Sequence, residues 1–365
     1  MDRESRSLDA KILDFVRRDG EKPALEKEFE ALSFRIFEYQ FRRNENYRKF
    51  CLLEDRPPRR VSHWKDIPAM PTVGFKELVL SSFPIRRAAK VFRTSGTTLG
   101  SEGRGAHFFD TLRLYDAVTV PVFKKYLLPD TDRMPLFFLM PSSAEAPDSS
   151  LSYMMGVVRR KFSVGPGRFY VNKERILCRE LLRDLKAAKK QVMILATAFS
   201  LKAFLDWMGG ERVSLNLKPG SRVMETGGFK GKTREISKAA LYRDCRRYLG
   251  IPRSFCVSEY GMTELSSQFY DTTLADYSTG LRRKPFKEGP SWVRTLVIDP
   301  RTGRESKRGS KGVLRHFDLA NRGSVMAVQT EDLGVARETG FELLGRLPGA
   351  DLRGCSLTYE AFLKS

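Results

Sequence analysis

Ser258-Glu259-Tyr260-Gly261-Met262-Thr263-Glu264 is the stretch on which the reading of the fold turns. Residues 255–258 are a short, mostly apolar run, and Tyr260-Gly261 breaks it, the pattern of a strand ending in a turn. Just upstream, residues 235–249 read as a helix with Gly250 and Pro252 as its stop signal. Before that helix, residues 222–226 read as a short strand leading into Gly227-Gly228. Further back the same alternation continues: helix at 201–208, buried strand at 191–199, helix at 176–190, strand at 135–140. Strands alternating with helices predict α/β layers around a central, largely parallel sheet.

The two ends of the chain differ from this middle. Residues 8–51 read as helix, because Leu25, Phe29, Leu32, Ile36 and Tyr39 recur at three- and four-residue steps. A proline-bearing linker follows at 56–59, and residues 64–71 read as extended, since two prolines disfavour helix there. After Val91-Phe92 comes a Gly/Ser/Thr loop at 94–105, with a helix expected to begin near Asp110. Toward the C-terminus, 292–299, 312–317, 325–329 and 341–344 are short strand-like runs separated by Gly and Asn, a small β-rich subdomain.

Composition narrows the classes. A chain of 365 residues can bury a large core in one or two domains. No apolar run reaches the roughly 18–20 residues a membrane helix needs, and the N-terminus has no apolar signal region, so the expectation is a cytoplasmic protein without a transmembrane segment. The five cysteines are scattered without a C-x-x-C pair and there are three histidines, which argues against a disulfide framework or a structural zinc site. A formal net charge of +21 favours anionic ligands or partners, and equally describes a solvated basic surface. The basic residues are dispersed without interleaved aromatics, so no nucleic acid is expected as a partner.

Each motif has a chemical reading beside an ordinary structural one. The 94–105 loop offers main-chain N–H groups and hydroxyls to phosphate oxygens, and the same composition suits a flexible surface loop; it is not a P-loop. Residues 258–264 lie at a strand end, where α/β proteins place ligands. There Tyr260 can stack on a base, Thr263 can donate to a phosphate and Glu264 can hold Mg²⁺. The alternative is a strand-end turn with a helix cap. Gly227-Gly228 admits a planar ligand against the backbone, or simply makes a tight turn. Asp332 can accept from two ribose hydroxyls, or serve as an acidic turn residue. His63, His107 and His316 have no partner at motif spacing and are read as structural.

Taken together, the set resembles the adenylate-forming superfamily. Within it, 64–71 with Phe75-Lys76, 93–98, 258–269 and Arg353-Gly354-Cys355-Ser356-Leu357 are similar to the acyl-protein synthetases of the bacterial luminescence fatty-acid reductase system, the LuxE family. That resemblance covers nearly the whole chain. It implies ATP and Mg²⁺ as cofactors, with Thr94, Ser95, Gly96, Thr97 and Thr98 holding phosphates. Gly227 and Gly228 would line the adenine site, Tyr260 with Gly261 would form the stacking turn, and Thr263 would contact the α-phosphate. Glu264 would coordinate Mg²⁺ and Asp332 would bind the ribose. It also implies an α/β fold like the N-terminal domain of adenylate-forming enzymes, with layered sheets and helices and a small β-rich subdomain, lacking the full mobile C-terminal domain. The expected division is a helical region and linker at 1–90, a core at 91–346 and a tail at 347–365 carrying Cys355.

Two departures bear on the chemistry. The superfamily loop usually continues Gly-x-Pro-Lys-Gly, whereas Leu99 and Gly100-Ser101-Glu102-Gly103-Arg104-Gly105 stand here. Most members also continue into a C-terminal domain that supplies a catalytic lysine; Arg346, Arg353, Lys230 and Lys232 are the candidate substitutes. Cys355, by itself, reads as a small packing residue. Next to Arg353 and Gly354 it also suits a reactive thiolate, and the family resemblance makes it the acyl carrier. Cys51, Cys178, Cys245 and Cys256 read as packing residues. The expected activity is ATP-dependent activation of a carboxylic acid, a long-chain fatty acid by resemblance, followed by transfer to a protein cysteine. Tyr153, Met154, Met155, Phe199 and Phe204 either line the acid's channel or fill the core. A fatty-acid-reductase-type protein is the implied partner, in a homo- or hetero-oligomer. The alternatives are transfer to CoA, a carrier protein or an amine, as in phenylacetate-CoA ligases, and a binding protein on a degenerate adenylation fold.

Overall fold

The computed structural model describes residues 1–18, 25–94, 104–173, 175–227 and 237–347. The chain begins with helices α1 (Arg3–Arg17), α2 (Leu25–Arg43) and α3 (Glu45–Leu53). Strand β1 (Met70–Pro71) and the short helix α4 (Gly74–Glu77) precede the hairpin β2 (Lys90–Arg93) and β3 (Ala106–Phe109). Then come α5 (Arg113–Leu127), β4 (Leu136–Leu139), α6 (Ser150–Phe162), β5 (Arg168–Phe169), β6 (Val171–Asn172) and β7 (Arg175–Ile176). The alternation continues with α7 (Cys178–Ala187), β8 (Met193–Thr197), α8 (Ala198–Gly210), β9 (Arg222–Thr226), α9 (Lys238–Leu249) and β10 (Cys256–Tyr260). Last are β11 (Phe269–Asp271), α10 (Thr273–Ser278), β12 (Lys287–Glu288), β13 (Val293–Ile298), β14 (Lys311–Asp318), β15 (Ala327–Ala336) and β16 (Gly340–Arg346).

Two compact units form. The first takes Met1–Val118, Met262–Ser267 and the chain from Lys287 onward; the second takes Thr119–Gly261 and Gln268–Phe286.

In the second unit the parallel strands run β10-β9-β8-β4-β5, with β11 antiparallel at the edge of β10. Met193, Ile194, Leu195 and Ala196 of β8 are all fully buried, the continuous apolar run expected of a parallel strand covered on both faces. Leu181 and Leu185 of α7, Leu201, Phe204, Leu205 and Met208 of α8, and Leu241, Cys245 and Leu249 of α9 share one core. Burying each such side chain contributes about 1.5–3 kcal/mol. Helix α9 starts at an N-cap, Ser237, whose side chain accepts from Ala240 N, and ends at Gly250 with φ +72, as the Gly-Pro stop signal predicts. Tyr153 is half-buried and Phe199 is 45 % exposed, while Met154, Met155 and Phe204 are buried.

The first unit holds the antiparallel order β13-β14-β15-β16-β12, with β1 parallel to β15. This is the β-rich subdomain, with strands longer than the apolar runs suggested because β15 and β16 extend through polar residues. The single helical stretch expected at 8–51 is three helices. Asn44 divides the last two, its side chain accepting from Tyr47 N at 3.1 Å as an N-cap. Residues 64–71 are not wholly extended: Trp64–Asp66 is a 3₁₀ turn, in which the His63 ring nitrogen accepts from Lys65 N at 3.1 Å. Trp64 packs edge-on against Phe29 and Phe317, joining α2 to β14. Arg322, 1 % exposed, donates to Asp9 at 2.7 Å and to Asp110 at 2.9 Å, which ties α1 and the end of β3 into the same core. Cys51, Cys245 and Cys256 are buried and Cys178 is half-buried; burial pushes the thiols of Cys51 and Cys178 up, and contact with Cys256 together with burial does so for Cys245. Among the described residues no helix is long and apolar enough to cross a membrane.

Candidate active site

In the first unit, β2 and β3 form the base of the Gly/Ser/Thr loop. Thr94 closes it: Thr94 N donates to Gly105 O at 2.9 Å, and Gly105 N donates to Thr94 Oγ1 at 2.9 Å. Arg104 Nε donates to Thr94 O at 2.6 Å. A side chain at Gly105 would crowd Phe75 O at 3.1 Å, so these segments approach closely there. Ser95, Gly96, Thr97 and Thr98 lie outside the described residues.

The second half of the 258–264 motif is held against this hairpin. His107 on β3 places Nδ1 2.8 Å from Thr263 O and Nε2 2.8 Å from Ser324 Oγ. A carbonyl only accepts, so Nδ1 carries the proton and Nε2 accepts from the Ser324 hydroxyl. Burial pushes the His107 pKa down to about 4, which keeps the ring neutral in this tautomer at pH 7. The Thr263 hydroxyl donates to Arg93 O on β2 at 3.5 Å. Asn321 Nδ2 donates to Glu264 O at 2.8 Å, and Ser266 Oγ donates to Asn321 Oδ1 at 2.7 Å.

Asp318 completes the support. It accepts from Ser266 N at 3.1 Å, Ser267 N at 2.8 Å, Ser267 Oγ at 2.9 Å and Ala320 N at 2.9 Å. Burial raises its pKa to about 6 against the pull of these donors. Trp292 Nε1 donates to Ser267 Oγ at 3.0 Å. Thr263 and Glu264 therefore sit on a main chain pinned from three elements. His107, Asn321 and Asp318 were not among the expected site residues. His107 follows the loop in sequence but had no motif partner, and Asn321 and Asp318 reach the motif only through the fold.

Also in the first unit, Asp332 and Arg346 are register partners on β15 and β16, with Arg346 Nε 3.4 Å from Asp332 Oδ1. Two residues expected separately are thus one pair, with the arginine side chain 60 % and the aspartate 14 % exposed.

In the second unit, β9 and β10 run parallel, with Glu225 opposite Ser258 and Thr226 opposite Glu259. Gly227 directly follows β9 with φ +81, a left-handed turn that favours glycine, and no described residue crowds it. Tyr260 ends β10, 8 % exposed, its ring 5.8 Å from that of Phe269. Gly261 follows, in close contact with the Glu259 carboxylate, so a side chain there would displace it. Gly227, Tyr260 and Gly261 thus share the carboxyl ends of two adjacent parallel strands, where α/β folds bind ligands. Gly228, Lys230, Lys232, Arg353 and Cys355 lie outside the described residues.

Glu264 is 6 % exposed. Among the described residues no group of three or more His, Cys, Asp or Glu side chains is placed to hold a metal. A single carboxylate fits Mg²⁺, which takes one or two from protein and completes its shell with phosphate oxygens and water.

Comparison with known proteins gives the family and the fold. The family model described as acyl-protein synthetase, LuxE, matches residues 6–363. The long-chain-fatty-acid–luciferin-component ligase of Vibrio harveyi is 22% identical over 342 residues, spanning 88% of this chain and 84% of that protein. Its counterpart from Aliivibrio fischeri is 21% identical, spanning 88% and 85%. Among solved structures, 2-hydroxyisobutyryl-CoA ligase in complex with 2-HIB-AMP and CoA superposes with TM-score 0.65 at 14% identity, covering 91% of this chain and 70% of that one. The same ligase in its postadenylation state superposes with TM-score 0.63. The fold is therefore that of the adenylate-forming enzymes.

Proposed function

Because the chain belongs to the LuxE family of acyl-protein synthetases and is a ligase, we propose that it activates a long-chain fatty acid with ATP and passes the acyl group to the thiol of Cys355. The observation that carries this reading is the pinning of Thr263 against the base of the Gly/Ser/Thr loop by His107 and Arg93, with the Glu264 main chain held by Asn321.

In the first step a carboxylate oxygen attacks the α-phosphorus of ATP, the bond to the pyrophosphate leaving group breaks, and an acyl-adenylate forms. Thr94 and the loop residues Ser95 to Thr98 hold the phosphates, with Thr263 at the α-phosphate. Donors of this kind act through positioning and electrostatics, and the Thr263 hydroxyl turns from Arg93 O to the phosphate to serve as one. Glu264 holds Mg²⁺, which when bound neutralises phosphate charge. Gly227, Gly228 and the Tyr260-Gly261 turn receive adenine, and Asp332 accepts from the ribose hydroxyls beside Arg346. Arg346 and Arg353 are the cations proposed to offset charge at the α-phosphate.

In the second step the Cys355 thiolate attacks the acyl carbon, AMP leaves, and a thioester remains. Residues 347–365 act as the tail that carries this thiol. A protein that takes the acyl group onward, such as a fatty-acid reductase, is the partner this chemistry calls for.

Intact-protein mass after incubation with Mg·ATP and a panel of fatty acids tests the reading. The expected result is a gain of one acyl group, removed by neutral hydroxylamine and absent from Cys355→Ser. No adduct with any acid, in protein that turns over ATP, would reassign the acceptor.

A further inference from the structure

Lys238 opens α9 and turns its side chain back onto the sheet. Its ammonium donates to Ser258 Oγ on β10 and lies 3.3 Å from Glu225 Oε1 on β9. Ser258 and Glu225 are register partners on these strands and both are fully buried. Tyr242, one turn further along α9, donates to the same Glu225 oxygen at 2.8 Å. Burial and the facing Glu225 push the Tyr242 hydroxyl up, so it stays a donor. Glu225 Oε2 has no hydrogen-bond partner among the described residues. A buried carboxylate with one oxygen unmet depends strongly on its remaining cation.

The next pair along the strands, Thr226 and Glu259, points to the opposite face, since side chains alternate along a strand. Thr226 Oγ1 donates to the Glu259 carboxylate. Strands β9 and β10 are therefore tied together on both faces, immediately before Gly227 on one and Tyr260 on the other.

We propose that Lys238 is a positioning residue for adenine recognition: by bridging Ser258 and Glu225 it sets the stagger of β9 against β10, and with it the spacing of Gly227 and Tyr260. The proposal rests on the reading that these two residues receive the adenine ring. An apolar side chain at 238 would pack against the sheet without desolvating a charge or ordering a long flexible chain. What the lysine adds is direction: one donor group fixed to two particular strands. Its side chain is 48 % exposed, so it binds at the rim of the sheet rather than filling the core.

The test is equilibrium titration of the full chain with Mg·ATP and Mg·GTP, for wild type, Lys238→Ala, Lys238→Arg and Glu225→Gln, with thermal unfolding of each. Lys238→Ala is expected to weaken ATP binding about tenfold while changing GTP little, so the preference for adenine collapses. Lys238→Arg restores part of it, and Glu225→Gln follows the alanine variant. A lower melting temperature with ATP affinity and base preference unchanged, in any variant that folds, would overturn the proposal and leave Lys238 a structural cross-link. Wild type that binds neither nucleotide would instead overturn the adenine reading beneath it.

Discussion

His107 Nδ1 lies 2.8 Å from the main-chain oxygen of Thr263, across 156 residues of sequence. The bond joins the strand leaving the Gly/Ser/Thr loop to the threonine proposed to meet the α-phosphate. Displacing a positioned group by about 1 Å can cost 10²-fold in rate. His107→Ala is therefore expected to lower kcat by roughly 10–100-fold. Asn presents its amide nitrogen where Nδ1 stood, whereas Gln reaches the Nε2 position. His107→Asn should retain more activity than His107→Gln, and steady-state kinetics on the two variants decides this.

Buried titrating groups set the response to acid. Burial holds His107 down at about 4 and His316 at about 3. The unfolded chain takes up both protons as pH falls through about 6.5, while the native state does not. Their stabilisation is full above that value and is lost on acidification toward 4 and 3. Asp318, raised to about 6, works oppositely: its native form takes a proton first, so it favours folding as pH falls from 6 toward the ordinary carboxylate range. Asp9, raised chiefly by burial, adds in the same direction. Just below pH 6.5, before Asp9 begins to take up its proton, two histidines against Asp318 leave a net loss on acidification, on the order of 1 kcal/mol per pH unit. Urea denaturation at several pH values should show it, with a shallower slope in His316→Gln and a steeper one in Asp318→Asn.

Asp332 is proposed to accept from the ribose hydroxyls. Hydrogen bonds to a charged group contribute about 1.5–3 kcal/mol, so Asp332→Ala should raise the KM for ATP by about 10–100-fold. Wild type should prefer ATP over 2′-deoxy-ATP and the variant should not. An unchanged preference would remove Asp332 from the ribose.

Arg322 is a buried guanidinium between two carboxylates. Removing it leaves Asp9 and Asp110 uncompensated, and breaking such a buried pair costs about 3–5 kcal/mol. Arg322→Met is expected to destabilise the fold by that order in chemical denaturation, with α1 losing hydrogen-exchange protection first.

The parallel sheet was legible because β8 is a short apolar run, strands and helices alternate around it, and α9 carries its own stop signal at Gly250. The antiparallel subdomain was legible from its Gly and Asn breaks. Strand β3 was missed: Ala106–Phe109 is too short to show alternation, and its partner β2 lies across a long loop. The division between α2 and α3 was missed because a single N-cap, Asn44, outweighs an unbroken apolar period. The motif residues of the candidate site could be named from local sequence together with the family resemblance. The residues that hold them could not, since His107, Asn321 and Asp318 reach residues 263–267 only after β3 and β14 have packed. Likewise the Lys238 bridge exists only once β9 and β10 are in register.

Acid-dependent exchange of labelled pyrophosphate into ATP tests the central claim most directly, because it reports acyl-adenylate formation without needing an acceptor. The account predicts exchange that requires Mg²⁺ and a long-chain fatty acid, persists in Cys355→Ser, and falls at least about 100-fold in Glu264→Gln. Exchange absent with every fatty acid, or equally fast in folded Glu264→Gln, would contradict it.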